Sequence, residues 1–163
     1  MSFITIILFG GLAASFSLII EILTSVLFPV SQTIALGLSP ALSFTTFLAF
    51  LSIAGIEELS KYIFLRQYAK RFLSDFPSAI TKSVLLGISF GLGFAALEIF
   101  LIWYNLTRLP LWALFGSAGL HIFTSVVFTV FLFSVAQKRF TRETLIALAI
   151  FSHLLYNVLV FSQ

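Results

Sequence analysis

The stretch that decides the fold runs from residue 55 to residue 61 and reads Gly55-Ile56-Glu57-Glu58-Leu59-Ser60-Lys61. Two adjacent carboxylates and a lysine here lie within a run that is otherwise apolar. An ionisable residue at the centre of a membrane-spanning helix costs about 2.5–3.5 kcal/mol, so three that face lipid cost on the order of 10 kcal/mol. These charges are therefore predicted to face the interior of a helix bundle and to have partners there.

The composition is that of a membrane protein. The chain has 163 residues, of which 60% are hydrophobic and 9% charged, whereas about a quarter of the residues of a soluble domain are charged. It has no Cys, which excludes disulfides and Cys-ligated metal sites. The net charge of +3 comes from basic residues between apolar runs, so we expect no nucleic-acid partner. We expect a multi-pass integral membrane protein embedded in the lipid bilayer, in the plasma membrane if the source is prokaryotic.

Five apolar runs approach or exceed the length of about 20 residues that a membrane-spanning helix needs. The predicted spans are 3–28, 41–65, 80–104, 111–135 and 144–161, with polar turns at 66–77 and 137–143 and a loop or re-entrant piece at 29–40. Lys and Arg concentrate after the second and fourth spans, which predicts that these loops are cytoplasmic. The predicted fold is thus an all-α polytopic transmembrane helix bundle of about five spans, one domain over residues 1–163, with a cytoplasmic N-terminus.

Polar residues recur at mid-depth on the later spans. At 1.5 Å per residue from the cytoplasmic ends, Glu57 lies at about 14 Å, His153 at about 16 Å, Glu98 at about 24 Å and His121 at about 26 Å. His153 and Asn157 are four residues apart and share a helix face. We therefore expect the four spans to bring these side chains together.

The paired glutamates are expected to differ in role. Glu57 and Glu58 point about 100° apart on a helix, so only one of them should face the histidines and Glu98. Lys61 is four residues after Glu57, which predicts that it holds Glu57 in place. Glu21, by its depth in the first span, is predicted to lie at the membrane interface rather than at the site.

The third span is predicted to pack closely against other helices. Gly87, Gly91 and Ala95 recur at four-residue spacing, a pattern that lets helix backbones approach each other. Such an approach would bring Glu98 near its partners.

This set of residues suits more than one chemistry. A buried glutamate can act as a general base toward water, and imidazole or amide donors can stabilise an oxyanion. Alternatively, Glu98, His121 and His153 can bind zinc with an open fourth position, which leaves Glu57 or Glu58 as the base. Both arrangements indicate amide hydrolysis within the membrane. The same residues also suit a proton or cation transporter, or a non-proteolytic scaffold with a polar core.

Four motifs, in this order, resemble those of the PrsW-like intramembrane proteases, within the superfamily of type II CAAX prenyl proteases and Abi (CPBP) proteins. They are Glu57-Glu58-Leu59-Ser60-Lys61, Gly93-Phe94-Ala95-Ala96-Leu97-Glu98, His121-Ile122-Phe123-Thr124 and His153-Leu154-Leu155-Tyr156-Asn157. The resemblance covers residues 55–157. The prenyl-protease branch usually has His where this chain has Glu98, so this position follows the PrsW-like pattern.

The resemblance implies an intramembrane endopeptidase that acts on a membrane-embedded protein or peptide. It implies Glu57 or Glu58 as the base, with a preference for Glu57, and His153 and Asn157 in oxyanion stabilisation or ligation. PrsW-like members are commonly classed as metalloproteases, whereas the prenyl-protease branch has been argued to work without metal. The predicted site residues are Glu57, Glu58, Glu98, His121, His153 and Asn157, with Zn²⁺ as a possible cofactor.

Overall fold

A computed structural model describes residues 3–27, 44–72, 80–104, 110–133 and 139–161. These segments form five helices and no strand. The helices are α1 (Phe3–Leu27), α2 (Phe44–Phe72), α3 (Ile80–Tyr104), α4 (Leu111–Phe133) and α5 (Arg139–Phe161). The prediction of an all-α bundle is confirmed. The loop or re-entrant piece expected at 29–40 lies outside the described residues.

Two helix bounds next to the predicted polar turns differ from the prediction. The turn expected from Arg66 is wrong at its start, because α2 continues to Phe72. This extension is stabilised by packing, since Tyr68 is buried and its ring meets that of Phe9 edge to face at 5.6 Å. The second correction concerns α5, which begins at Arg139, five residues before the predicted start at 144.

Glycines set the spacing on both sides of α3. A Cβ atom added to Gly87 or Gly91 would lie 2.5 Å from the backbone of Val126 or Ile122 on α4. On the other side, Gly93 meets the backbone of α1 at Ile7 in the same way. The predicted close packing of this helix is therefore confirmed, and it places α3 between α1 and α4.

Helix α2 packs against α1, α4 and α5, so its polar residues face the interior of the bundle. Its apolar side chains Phe50 and Ala54 pack with Leu154 of α5, and Tyr62 packs with Phe128 of α4. The same helix buries Glu57, Glu58 and Lys61. The unfavourable transfer of three charges to lipid is thus avoided, as the sequence predicts.

Among the described residues, four helices are long and apolar enough to cross a membrane: α1, α3, α4 and α5. Large apolar side chains also cover much of the outside of the bundle, and the most exposed include Trp103, Phe115, Phe44, Leu8 and Phe151. A surface of this kind is suited to lipid. These properties are those of an integral membrane protein. Helix α2 has 29 residues, long enough to cross as well, but its charges set it apart from the other four.

Candidate active site

Four helices contribute one polar cluster in the middle of the bundle. Glu57 and Glu58 come from α2, Glu98 from α3, His121 from α4 and His153 from α5. Four of these five side chains are buried, and only that of Glu98 is partly exposed, at 26%. The prediction that four spans bring Glu57, Glu98, His121 and His153 together is confirmed, and Glu58 joins them.

Close packing of α3 against α4 positions His121. A Cβ atom added to Gly91 would lie 2.8 Å from the backbone oxygen of His121, so only glycine permits this separation. The ring of Phe94, one turn after Gly91 on its helix, packs against the imidazole of His121 at 4.8 Å between centroids. The sequence of α3 therefore fixes both the depth and the orientation of this histidine.

Glu57 faces both imidazole rings. Its Oε2 atom lies 3.8 Å from Nε2 of His121 and 3.6 Å from Nε2 of His153, and the two rings are 5.2 Å apart at 73°. This oxygen is buried and has no hydrogen-bond partner among the described residues. Both distances exceed a direct hydrogen bond but allow one water molecule or ion to contact the facing atoms.

Glu98 belongs to a second pair on the same side of the cluster. Its Oε2 atom contacts Nε2 of His121 and accepts a hydrogen bond of 2.6 Å from the hydroxyl of Ser117. Ser117 lies one turn before His121 on α4. The two α4 side chains therefore hold one carboxylate oxygen of Glu98 next to the nitrogen that faces Glu57.

Glu58 contacts the ring nitrogen of His153 that does not face Glu57. Its Oε1 atom lies 2.8 Å from Nδ1 of His153 and 2.6 Å from Nζ of Lys61. Lys61 is fully buried and also donates to the hydroxyl oxygen of Thr124 at 3.1 Å. The two glutamates thus approach His153 from its two ring nitrogens.

Two predictions about this region are wrong in detail. The hydrogen bond of Lys61 goes to Glu58 at i,i+3 rather than to Glu57 at i,i+4, because the ammonium group turns toward Thr124 of α4. Glu58 also does not point away from the histidines, because it contacts the Nδ1 side of His153. The two glutamates still differ in position: Glu57 faces the space between the two imidazoles, and Glu58 lies behind the ring of His153.

The donor atoms around that space form a group that could hold a metal ion. The ligand atoms of Glu57, His121 and His153 all lie within 4.8 Å of one another, and all three residues are buried. Ligands that are about 2.0–2.2 Å from a tetrahedral zinc ion lie about 3.3–3.6 Å from each other, close to the two distances from Glu57. The set predicted from the sequence used Glu98 as the carboxylate ligand, whereas here Glu57 completes the group and Glu98 lies beside it.

The remaining predicted residues lie at the edge of the cluster. Asn157 is half-buried one turn after His153, and among the described residues none of the contacts that join the cluster involves it. Glu21, predicted to lie at the interface, is half-buried and interacts electrostatically with Glu98 and Glu57. It is therefore a further carboxylate of this region.

Ser117 and Thr124 were not among the predicted site residues. Both are buried, and each contacts a charged member of the cluster. Their signal in the sequence is spacing, because Ser117, His121 and Thr124 follow at i, i+4 and i+7 and so share one face of an apolar helix.

Comparisons of the chain with protein-family models, with curated proteins and with solved structures gave no match. The resemblance to the PrsW-like proteases therefore stays a prediction from the motifs.

Proposed function

We propose that the chain is an intramembrane peptidase that hydrolyses a peptide bond of a membrane-embedded protein or peptide. The observation that best supports this is the position of Glu57, whose buried Oε2 faces Nε2 of both histidines and has no hydrogen-bond partner in the part of the chain that the structure describes. A buried carboxylate without a partner is unfavourable, by about 1–3 kcal/mol or more, unless it serves a bound group. The bound group proposed here is the water that attacks the peptide carbonyl.

In this proposal Glu57 is the general base. It accepts a proton from the water as the water oxygen bonds to the carbonyl carbon, which gives a tetrahedral oxyanion. The hydrogen-bonded pair of His121 and Glu98 holds a proton near the same point and transfers it to the leaving nitrogen as the C–N bond breaks. Asn157, by its resemblance to the family motif, is the candidate amide donor to the oxyanion.

The same residues fit a zinc ion, and Glu57, His121 and His153 would hold it. A zinc ion, when bound, supplies a Lewis acid for the carbonyl oxygen and activates water. With Glu57 as a ligand, Glu98, which Ser117 orients, would be the neighbouring carboxylate and would take the role of base.

The proposed setting is a lipid bilayer that all five helices cross, with the N-terminus in the cytoplasm. Helix α2 crosses as the inner helix of the bundle, which its buried charges support. The substrate is then a helical or extended segment that reaches the site from within the bilayer, through the region where Glu98 is partly exposed.

The test is cleavage by purified protein in liposomes that contain a panel of single-span peptides with a fluorophore at one end. Glu57→Gln should lower the cleavage rate by about 10²–10⁴-fold, the usual contribution of a general base or acid. The matched control is Glu143→Gln, because Glu143 is an exposed glutamate at the beginning of α5. Cleavage at the wild-type rate by the Glu57 variant would refute the proposal, and proton flux into the liposomes without cleavage would favour a transporter.

A further inference from the structure

A chain of buried hydrogen bonds runs behind His153, on the side away from Glu57. Lys61 is its centre, with Nζ 2.6 Å from Oε1 of Glu58 and 3.1 Å from Oγ1 of Thr124. The ring of Phe94 lies 4.8 Å from the same nitrogen. Lys61, Glu58 and Thr124 are each at most 1% exposed, so water does not compete for these contacts.

The direction of each hydrogen bond follows from the chemistry of the groups. An ammonium group only donates, so Glu58 and Thr124 both accept from Lys61. The hydroxyl proton of Thr124 then points to the backbone oxygen of His121, at 3.4 Å in the preceding turn of α4. The ionised carboxylate of Glu58 only accepts, so the hydrogen between it and His153 belongs to the imidazole.

These directions fix the tautomer of His153. A neutral imidazole has one proton, and the contact with Glu58 places that proton on Nδ1. The other nitrogen, Nε2, is then an acceptor, and it faces Oε2 of Glu57 at 3.6 Å. Two acceptors that face each other need a donor or a cation between them. The hydrogen bonds behind the ring of His153 therefore determine which atom of the imidazole faces the space next to Glu57, where the proposed reaction takes place.

We propose that Thr124, Lys61 and Glu58 are positioning residues that hold His153 in its Nδ1-protonated form, with the lone pair of Nε2 directed at the reacting water or metal. The expected effect on cleavage rests on the proposed function, whereas the tautomer of His153 does not depend on it. In this arrangement His153 accepts a hydrogen bond or acts as a ligand, and it does not donate to the oxyanion. Partners of this kind typically contribute 10–100-fold to activity or metal affinity.

The direct test is ¹⁵N NMR of the histidine side chains of the wild-type protein in lipid bilayers. The chain has only two histidines, so the variant His121→Gln assigns the signals of His153. The expected result is a single form of His153 with a protonated Nδ1 and an unprotonated Nε2. A proton on Nε2, or a mixture of the two tautomers, would overturn the proposal. This result needs no variant of Thr124, Lys61 or Glu58.

A matched pair of variants then tests the role of Thr124. Thr124→Val keeps the shape and removes the hydroxyl that holds Lys61 beside Glu58, so Glu58 should move relative to His153, the tautomer signals should become mixed, and the cleavage rate should fall by up to about 10–100-fold. Thr124→Ser keeps the hydroxyl and should retain the single tautomer and most of the rate. If the valine variant matches the serine variant in both readouts, Thr124 is not a positioning residue. If the wild-type protein shows the single tautomer but cleaves none of the peptides, the positioning role of Thr124, Lys61 and Glu58 would be supported and the proposed peptidase function would be refuted.

Discussion

Replacing Lys61 with Met tests the buried ion pair of α2. Met keeps most of the aliphatic length and removes the charge, so Oε1 of Glu58 loses the donor at 2.6 Å in a fully buried position. Removing one partner of a buried ion pair typically lowers the free energy of unfolding by about 3–5 kcal/mol. Both side chains are fully buried, so a value in that range is expected for Lys61→Met.

A double-mutant cycle identifies the partner. Glu58→Gln removes the charge that Lys61 balances, so Lys61→Met should be less harmful in that background, with a coupling of about 2–3 kcal/mol. In the Glu57→Gln background most of the effect of Lys61→Met should persist, because Lys61 makes its hydrogen bond to Glu58. The assay is helix content by circular dichroism as SDS is titrated into mixed micelles. A larger coupling with Glu57 than with Glu58, or a loss below about 1 kcal/mol for Lys61→Met, would refute the reasoning.

Three further predictions concern packing, orientation and metal. Gly91→Ala should lower the free energy of unfolding by about 1–3 kcal/mol in the same titration, because its Cβ meets the α4 backbone, whereas Gly119→Ala, with open space, should be neutral or stabilise by up to about 1 kcal/mol. Equal effects would argue against the close packing. Ser117→Ala removes a hydrogen bond of 2.6 Å to Glu98 and should slow cleavage about 10-fold, an effect that Ser117→Thr should restore at least in part. If zinc is the cofactor, elemental analysis of purified protein should find about one zinc ion per chain in the wild type and much less in His153→Ala, and equal zinc in both would exclude this residue as a ligand.

The length of the apolar runs was enough to predict the five helices that the structure describes. The predicted bounds of α3 match the structure at both ends, 80 and 104, because polar residues and proline flank that run. The end of α2 was not predictable in the same way. Its last turns include Arg66 and Lys70, typical of a loop, and they stay helical because Tyr68 packs on a ring of α1. That contact joins residues about 60 positions apart and leaves no local signal.

The glutamates and histidines of the cluster were predictable, but its hydroxyl members and the pairing within it were not. Isolated Glu and His residues in apolar helices are unfavourable in lipid, which points to a shared interior. The choice between Glu57 and Glu58 as the partner of Lys61 depends on where α4 places Thr124, since spacings of three and four residues both allow contact. The preference for Glu57 as the base stays a prediction, and its position opposite both Nε2 atoms supports it.

The most direct measurement of the central claim is cleavage of the reconstituted peptides in ¹⁸O-labelled water, followed by mass spectrometry. If Glu57 activates water, the wild-type protein should give a product whose new carboxyl group contains one ¹⁸O atom, and Glu57→Gln should give almost none. An unlabelled product, or equal labelled product from both proteins, would contradict the account.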